Sequence, residues 1–168
     1  MIEHKNIHIA YIGLGSNLDE PVQHVLQGLD DIREIRQTFL VHHSSLYQTP
    51  PMGPEEQDDY INAVALIETE LAAIELLDAL QAIENQHKRD RDVERWGPRT
   101  LDLDILLYGD SKVDVPRLRV PHIEMHTRSF VLLPLLEIAP NFNVPNYGPA
   151  KDLLLKLDCS EIRKLEHD

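Results

Sequence analysis

Two aspartates, Asp102 and Asp104, lie two positions apart inside the apolar stretch 101–107. Apolar side chains at positions 101, 103, 105 and 107 alternate with them, so the pattern predicts a strand with both carboxylates on one face. Because two residues of strand rise roughly 6.6 Å, the carboxylates could share one hard cation or hold two ions roughly 3.5–4 Å apart. At neutral pH we expect a cation between them or a proton on one of them, since neighbouring carboxylates repel each other.

Arginines cluster just before the aspartate pair. Arg95 and Arg99 flank the rigid turn Trp96-Gly97-Pro98, and Arg89 and Arg91 lie in the run of alternating charge that precedes it. Carboxylates that bind a hard metal beside guanidinium groups that bind phosphate are what nucleotide-phosphate chemistry requires. A solvated strand edge beside an exposed charged face is the alternative interpretation. The adjacent WGPR turn favours the functional one.

The segment 88–98 holds little apolar content, and Trp96 is its large apolar side chain. A segment without apolar anchors has little to hold it in one conformation. We therefore expect a mobile loop that closes on a ligand and brings Arg89 and Arg91 onto the phosphates.

A second group of candidate binding residues follows the proline-rich loop 49–54. Residues 60–67 are predicted to form a strand, so Tyr60 and Asn62 share one of its faces. An aromatic ring beside an amide suits a flat heterocycle, because one packs on the ring while the other pairs with its nitrogens. An ordinary cross-strand pair on a polar face is equally compatible with this feature alone.

Other motifs are weaker. Residues 7–14 predict a buried strand that closes on a strand-to-helix turn at GLGSN (13–17), with Asn17 or Asp19 capping a helix that begins near Pro21. Leu18 takes the place of the third glycine of a dinucleotide-binding fingerprint, and no phosphate-binding P-loop is present. His122 fits no zinc template, so we interpret it as a hydrogen-bonding pocket residue. Periodicity predicts further strands at 39–47 and 113–120, the second as a hairpin partner of the aspartate strand, and helices at 71–87, 127–137 and 153–157.

Composition limits the class of protein. With 168 residues we expect one domain spanning residues 1–168. The net charge of −13, from 16 basic and 29 acidic residues, argues against nucleic-acid or anionic-membrane partners. Cys159 is the single cysteine, which excludes an internal disulfide and a multi-cysteine zinc site. Neither a signal peptide nor a long apolar segment is evident, so a soluble cytoplasmic protein is expected. We also expect the protein to be a monomer.

Together, several stretches resemble one family, the 6-hydroxymethyl-7,8-dihydropterin pyrophosphokinases of folate biosynthesis. They are YIGLGSNL (11–18), SSLYQTPPMG (44–53), DYINAVALIET (59–69), RWGPRTLDLDILLYG (95–109), VPH (120–122) and RSF (128–130). The resemblance covers roughly residues 9–140 and implies an α+β, ferredoxin-like fold, with an antiparallel-dominated sheet and helices packed on its faces. It also implies transfer of pyrophosphate from ATP to the pterin hydroxymethyl group, with two Mg²⁺ ions. A metal-dependent phosphohydrolase and a catalytically silent nucleotide-binding module are the alternatives.

The resemblance also implies roles for individual residues. Asp102 and Asp104 match the metal ligands and, with Arg89 and Arg99, the catalytic set. The implied ATP-binding residues are Gln81, Arg89, Arg91, Trp96, Arg99, Ile105, Arg117, Leu118, His122 and Arg128. The implied pterin-binding residues are Thr49, Pro50, Met52, Tyr60, Asn62, Trp96 and Phe130. Glu84, like Gln81, matches a polar group that lines the clefts. The chain departs from the family pattern at Asp92, Ile123 and His126.

Overall fold

The computed structural model of the protein describes residues 6–50, 59–88 and 100–165. These residues form strands, four α-helices and one short 3-10 helix. In chain order the elements are β1 (His8–Ser16), α1 (Pro21–Arg33), β2 (Thr38–His43), β3 (Tyr47–Thr49), β4 (Tyr60–Thr69), α2 (Ala73–Lys88), β5 (Asp102–Tyr108), β6 (Val113–Val115), β7 (Leu118–Val120), the 3-10 helix (Met125–Thr127), α3 (Ser129–Ile138), β8 (Asn143–Val144), β9 (Gly148–Pro149), α4 (Ala150–Leu155) and β10 (Arg163–Lys164).

Six strands form one antiparallel sheet: five pair in the order β10-β3-β4-β1-β5, and β2 pairs with β4 outside this order. The long strand β4 pairs with two further strands, with β3 beside its first residues and β2 beside its last. Strands β6 and β7 form a small separate sheet, as do β8 and β9. The described chain therefore has the antiparallel-dominated sheet with packed helices that the resemblance implies. Within the described residues, no helix has the length and apolarity that spanning a membrane requires.

Helices α1 and α2 cover one face of the sheet. Their apolar side chains recur at helical spacing and meet apolar residues at alternate positions of β1, β4 and β5. Fully buried members of this core include Ile12, Val25, Ile32, Ile67, Leu76, Leu80 and Leu101. Because burying a side chain of this size stabilises the fold by about 1.5–3 kcal/mol, this layer holds the central strands rigidly in place.

Helices α3 and α4 pack on the opposite face over a second apolar cluster, which includes Leu106, Met125 and Leu132. Glu137 ties the end of α3 to the sheet, because its carboxylate accepts hydrogen bonds from the Tyr47 hydroxyl at 2.6 Å and the Ser45 hydroxyl at 2.9 Å. The paired ends of β1, β4 and β5 extend past this cluster, and a cavity opens above them.

The prediction of a strand-to-helix turn at residues 13–17 is wrong. The ladder between β1 and β4 continues through Ser16, which pairs with Ile61, so both glycines of GLG lie inside a strand. The helix that follows has Glu20 rather than Asn17 or Asp19 at its N-cap position, with no side-chain capping bond there. Pro21 does open the helix, where its missing N–H costs no hydrogen bond.

The sequence predicts that Leu101, Leu103, Ile105 and Leu107 share one side of the aspartate strand. This prediction is correct as far as Ile105 and wrong for Leu107. The register between β1 and β5 shifts because Ile12 pairs with Ile105 while Tyr11 pairs with Leu107. One residue of β5 is therefore extra, and this β-bulge turns Leu107 away from the face that carries Ile105. Leu107 packs instead in the second cluster, under α3.

Three other predicted elements differ in extent or pairing. The predicted strand 39–47 is two strands, because Ser44 leaves the regular ladder and its hydroxyl accepts a hydrogen bond from the Val64 N–H at 2.9 Å. The segment 113–120 pairs with itself, as β6 and β7, instead of with β5. The helix predicted at 153–157 lies at Ala150–Leu155.

Candidate active site

The aspartate pair sits on β5, where its neighbour strand β1 contributes glycines. Asp102 pairs with Gly15 and Asp104 pairs with Gly13, so all four residues face the same side of the sheet. Since neither glycine has a side chain, the floor beside the carboxylates is bare backbone. Leu103 and Ile105 point to the opposite face and are buried in the main core, which fixes the direction of both carboxylates.

Asn62 continues the same row on the other side of Gly15. Its side-chain amide donates a hydrogen bond to the Thr49 hydroxyl at 3.2 Å, across the pairing of β3 with β4. Both residues are buried. The bond leaves the second N–H and the carbonyl oxygen of the Asn62 amide for a ligand.

A cavity of about 740 Å³ opens over this row. It brings together both aspartates and all of the described residues that the resemblance places around the pterin. Its lining includes Gly13, Gly15, Thr49, Pro50, Tyr60, Asn62, Asp102, Asp104, Glu124, Thr127, Arg128, Phe130, Leu157, Asp158, Glu161 and Ile162. We call it the floor cavity, after its glycine floor.

A second cavity, of about 410 Å³, lies between α2 and the β6–β7 hairpin. It holds most of the described residues that the resemblance assigns to ATP, and we call it the hairpin cavity. Its lining is Leu77, Gln81, Glu84, Leu103, Asp104, Ile105, Pro116, Arg117, Leu118, Arg119, His122 and Ile123. Asp104 therefore belongs to the walls of both cavities. Arg128, which the resemblance assigns to ATP, lines the floor cavity.

Glu84 supports the aspartate strand from α2. Its carboxylate accepts a hydrogen bond from the backbone N–H of Leu103, at 2.8 Å, between the two aspartates. Burial raises the pKa of Glu84, the Leu103 bond opposes that shift, and the charge of Asp102 adds to it. The hairpin cavity therefore contains a carboxyl group that is easier to protonate than an ordinary glutamate.

His122 is held between the strands and the 3-10 helix. Its backbone N–H donates to the Leu106 carbonyl at 2.9 Å, and its ring Nδ1 accepts a hydrogen bond from the Glu124 N–H at 3.2 Å. The neutral ring then carries its proton on Nε2 and can donate it to a ligand. Burial lowers the pKa of His122, and the negative charge of Asp104 acts in the opposite direction.

Three described arginines line the cavities, and each has a carboxylate partner. Arg119 pairs with Asp114 at 3.3 Å. Arg117 donates to Asp78 at 2.6 Å and to Gln81 at 2.9 Å, which ties the β6–β7 hairpin to α2. Arg128 forms an ion pair with Glu124, and its guanidinium carbon lies 5.6 Å from the centre of the Phe130 ring. These pairs keep the guanidinium groups at the cavity walls.

Several sequence candidates lie outside the described residues. They are Met52, Arg89, Arg91, Trp96 and Arg99, together with residues 89–98 of the segment 88–98, for which closure on a ligand is expected. Their roles remain predictions.

The donor set fits a hard cation. Asp102 and Asp104 present two carboxylates from one face of β5. Magnesium is commonly held by one or two carboxylates together with substrate phosphates and waters, so it needs no further protein ligand. Within residues 6–50, 59–88 and 100–165 no group of three or more His, Cys, Asp or Glu side chains forms a metal-binding cluster.

The sequence analysis missed two sets of cavity residues. Gly13 and Gly15 form the floor, and their spacing of two within a predicted strand is the signal that could have found them, because glycines in strands often mark a close approach to a ligand. Leu157, Asp158, Glu161 and Ile162 come from the segment after α4. No local pattern in that segment indicates a site.

The antiparallel sheet with helices on both faces is a ferredoxin-like α+β fold. Both aspartates line the floor cavity, and Asp104 is shared with the hairpin cavity, so the protein has room for two ligands. The profile of the family described as 7,8-dihydro-6-hydroxymethylpterin-pyrophosphokinase (HPPK) matches residues 11–140. The chain therefore belongs to the 7,8-dihydro-6-hydroxymethylpterin-pyrophosphokinase family.

The sequences of individual relatives align with nearly the whole chain. A 2-amino-4-hydroxy-6-hydroxymethyldihydropteridine pyrophosphokinase of Haemophilus influenzae is 53% identical over 156 residues, covering 93% of this chain and 97% of that one. The protein of the same name from Pseudomonas aeruginosa is 46% identical over 159 residues, covering 95% and 98%.

Solved structures support the fold. The chain superposes on the Plasmodium falciparum HPPK-DHPS triple mutant with pteroate with a TM-score of 0.73 at 13% identity, covering 96% of this chain and 47% of that one. For the wild-type HPPK-DHPS with pteroate the TM-score is 0.72 at 14% identity, covering 93% and 43%. This chain thus spans less than half the length of those structures, and at such low identity the likeness concerns the fold alone.

Proposed function

We propose that this chain transfers the pyrophosphoryl group of ATP to the hydroxymethyl oxygen of 6-hydroxymethyl-7,8-dihydropterin at the site described above. The products are AMP and the pterin diphosphate, and the reaction belongs to folate biosynthesis. The assignment of one ligand to each cavity rests on one observation, which is that Asp104 lies in the walls of both. One cavity is lined by residues suited to a flat heterocycle and the other by residues suited to a nucleotide. A carboxylate in that position can serve the group that passes between them.

The floor cavity is the pterin site in this proposal. Asn62 and Thr49 offer hydrogen-bonding groups to one edge of the ring, and Tyr60 and Phe130 offer aromatic surface. The bare backbone at Gly13 and Gly15 lets a planar ring lie close to the sheet. A ring bound there directs its substituent along the row that leads from Asn62 to Asp102.

The hairpin cavity is the ATP site. Gln81, Arg117 and the protonated Nε2 of His122 provide polar contacts, while Ile105 and Leu118 provide apolar surface for the base. The triphosphate then extends toward Asp104, where the two cavities meet. Arg128, on the wall of the floor cavity, and the sequence candidates Arg89 and Arg99 would pair with its charge.

In the reaction, the hydroxymethyl oxygen bonds to the β-phosphorus of ATP, and the bond from that phosphorus to the oxygen of the α-phosphate breaks. AMP leaves with that oxygen, and the hydroxyl proton passes to Asp104 or to solvent. Asp102 and Asp104 would hold two Mg²⁺ ions, which when bound neutralise phosphate charge and polarise the attacking hydroxyl. The chain's own contribution is to align the two substrates and to place cationic side chains around the leaving group.

The direct test is calorimetry of pterin binding, with and without Mg²⁺ and a non-hydrolysable ATP analogue, combined with an assay for AMP. We expect binding of both ligands and release of AMP only when pterin is present. A phosphohydrolase would release product from ATP without pterin. A silent nucleotide-binding module would bind ATP and release nothing. Either result would overturn the proposal.

We further propose that the chain works as one domain and as a monomer in the cytoplasm, without nucleic-acid or membrane partners. The two apolar clusters share one continuous sheet, and the net charge of −13 disfavours polyanionic partners. Light scattering coupled to gel filtration tests the monomer, because a mass near twice 19.3 kDa would contradict it.

A further inference from the structure

The segment 157–165, after α4, contributes a wall of the floor cavity. Leu157, Asp158, Glu161 and Ile162 all line it. These residues lie beyond residue 140, where the match to the family profile ends. The segment is therefore a part of the site that lies outside the residues the family profile matches.

The segment is anchored by its last residues. Strand β10 pairs antiparallel with β3, so that Arg163 lies opposite Gln48 and Lys164 opposite Tyr47. The backbone N–H of Leu165 donates to the Leu46 carbonyl at 2.8 Å, and its side chain packs against the main core. Pairing and burial together fix the position of this strand relative to β3.

This register determines what faces the cavity. Continuing the pairing by one residue brings Ile162 beside Thr49, and both line the floor cavity. Side chains alternate along a strand, so Ile162 lies on the same face as Lys164, whose positive charge acts on Glu137 of α3. Thr49 in turn holds Asn62 through the 3.2 Å hydrogen bond. Ile162 is thus adjacent to the polar pair that we assign to the pterin edge.

The turn before β10 is also held in place. The carboxylate of Asp158 accepts a hydrogen bond from the Ser160 N–H at 2.9 Å, and the Ile162 N–H donates to the Cys159 carbonyl at 3.1 Å. Leu157 packs against the second apolar cluster, as Phe130 does. An apolar surface made of Leu157, Phe130 and Ile162 therefore borders the cavity beside its polar edge.

We infer that Ile162 is a specificity-determining residue that packs against the bound pterin ring and fixes how far the ring can extend toward the chain's C-terminal segment. This inference rests on the proposed function, because it takes the ligand of the floor cavity to be the pterin. A half-buried branched side chain is suited to the role, since a ligand that covers it removes apolar surface from water at no cost in lost polar contacts.

The test compares Ile162→Ala with Leu155→Ala. Leu155 is an aliphatic residue of the same region that is 85% exposed on α4 and does not line the cavity. We expect Ile162→Ala to weaken pterin binding about three- to tenfold, because it removes apolar contact area from the ligand. The affinity for the ATP analogue should not change, the KM for pterin should rise with kcat retained, and Leu155→Ala should match the wild type.

Two further variants separate specificity from structure. Ile162→Val should restore most of the pterin affinity, and it remains informative if the alanine variant fails to fold. The ratio of affinities for ring-alkylated pterins and the parent pterin should also be higher in Ile162→Ala than in the wild type. The smaller side chain leaves space in the cavity for the alkyl group. A merely structural role would not change that ratio.

Equal pterin affinity in Ile162→Ala and the wild type would overturn the inference, as would parallel losses of pterin and ATP-analogue affinity. A wild-type protein that binds no pterin would overturn both this inference and the proposed function. A wild type that binds pterin, with an alanine variant that binds it equally well, would overturn the inference alone.

Discussion

Asp102 of β5 and Asn62 of β4 lie in one register row of the sheet, with only Gly15 of β1 between them. Two strand spacings separate them, which is roughly 9.6 Å of backbone. A bicyclic ring with a short substituent can span that distance. The row therefore sets an amide suited to a heterocycle at one end and a carboxylate suited to a metal at the other, with a flat floor between them.

Replacement of either aspartate by asparagine should lower AMP production by about 100-fold or more, because metal bridging of phosphates contributes several kcal/mol to the transition state. The fold should survive, since Asp104 is exposed and Asp102 half-buried. Turnover and thermal unfolding measured on the same preparation check this. Asp110→Asn, at an exposed position after β5, is the matched control. Near-normal AMP production by Asp104→Asn would show that the metal assignment is wrong.

Asn62→Ala should weaken pterin binding and leave ATP-analogue binding intact. An unpaired ring edge in a buried site costs roughly 1–3 kcal/mol, which corresponds to about a five- to 150-fold loss of affinity. Thr49→Val should cause a smaller loss, because it removes the hydroxyl that receives the Asn62 amide but keeps the amide itself. Calorimetry with each ligand separates the two effects. Equal losses for both ligands would indicate general unfolding instead of a pterin contact.

Gly15→Ala should reduce pterin affinity more than Gly13→Ala. A Cβ at Gly15 would lie 3.1 Å from the side-chain oxygen of Asn62, which must then move, whereas a Cβ at Gly13 meets Leu106 at an ordinary 3.5 Å. Gly13→Ala should not lower thermal stability, because alanine in a strand is favoured over glycine by about 0.5–1 kcal/mol. Titration of both variants with pterin makes the comparison. The same affinity in both would contradict the role given to the floor.

The sequence could predict the parts of the site that follow from local periodicity. Alternation alone placed Asp102 and Asp104 on one face and Leu103 and Ile105 on the other, because a buried core on one side enforces the pattern. It failed at Leu107, since a β-bulge depends on how β1 and β5 pair and leaves no mark in a single strand.

Contacts between distant segments were harder to predict. Ile162 reaches the cavity only because β10 pairs with β3, more than a hundred residues earlier in the chain. When so many residues separate two paired strands, nothing in the local sequence of either strand indicates its partner. The resemblance likewise could assign Gln81 and Asn62 to different ligands, but only the folded chain shows Asp104 in the walls of both cavities.

Acid should destabilise the protein partly through His24 on α1. Its Nδ1 lies 2.7 Å from Nδ1 of His87, whose Nε2 lies 2.9 Å from the Asp31 carboxylate. Burial lowers the pKa of His24 below its ordinary value of 6.5, and His87 lowers it further, while Glu20 opposes the shift. The unfolded chain then binds the proton more readily, so this contribution to stability is complete above pH 6.5 and is lost as the pH falls toward the folded-state pKa.

Urea unfolding between pH 8 and pH 5 tests this expectation. His24→Gln should lose less free energy of unfolding on acidification than the wild type does. His42→Gln, at an exposed position on β2, is the control and should follow the wild type. Parallel curves for the wild type and His24→Gln would refute the assignment to His24.

The position of Asp104 in two walls has a thermodynamic consequence. A charged ligand that binds on one side of the shared Asp104 carboxylate alters the binding free energy of the ligand on the other side. If nucleotide with its metal strengthens pterin binding by some factor, pterin must strengthen nucleotide binding by the same factor, since both routes lead to one ternary complex. The two affinities therefore form a linked pair, and a substitution at Asp104 changes their mutual dependence as well as each of them alone.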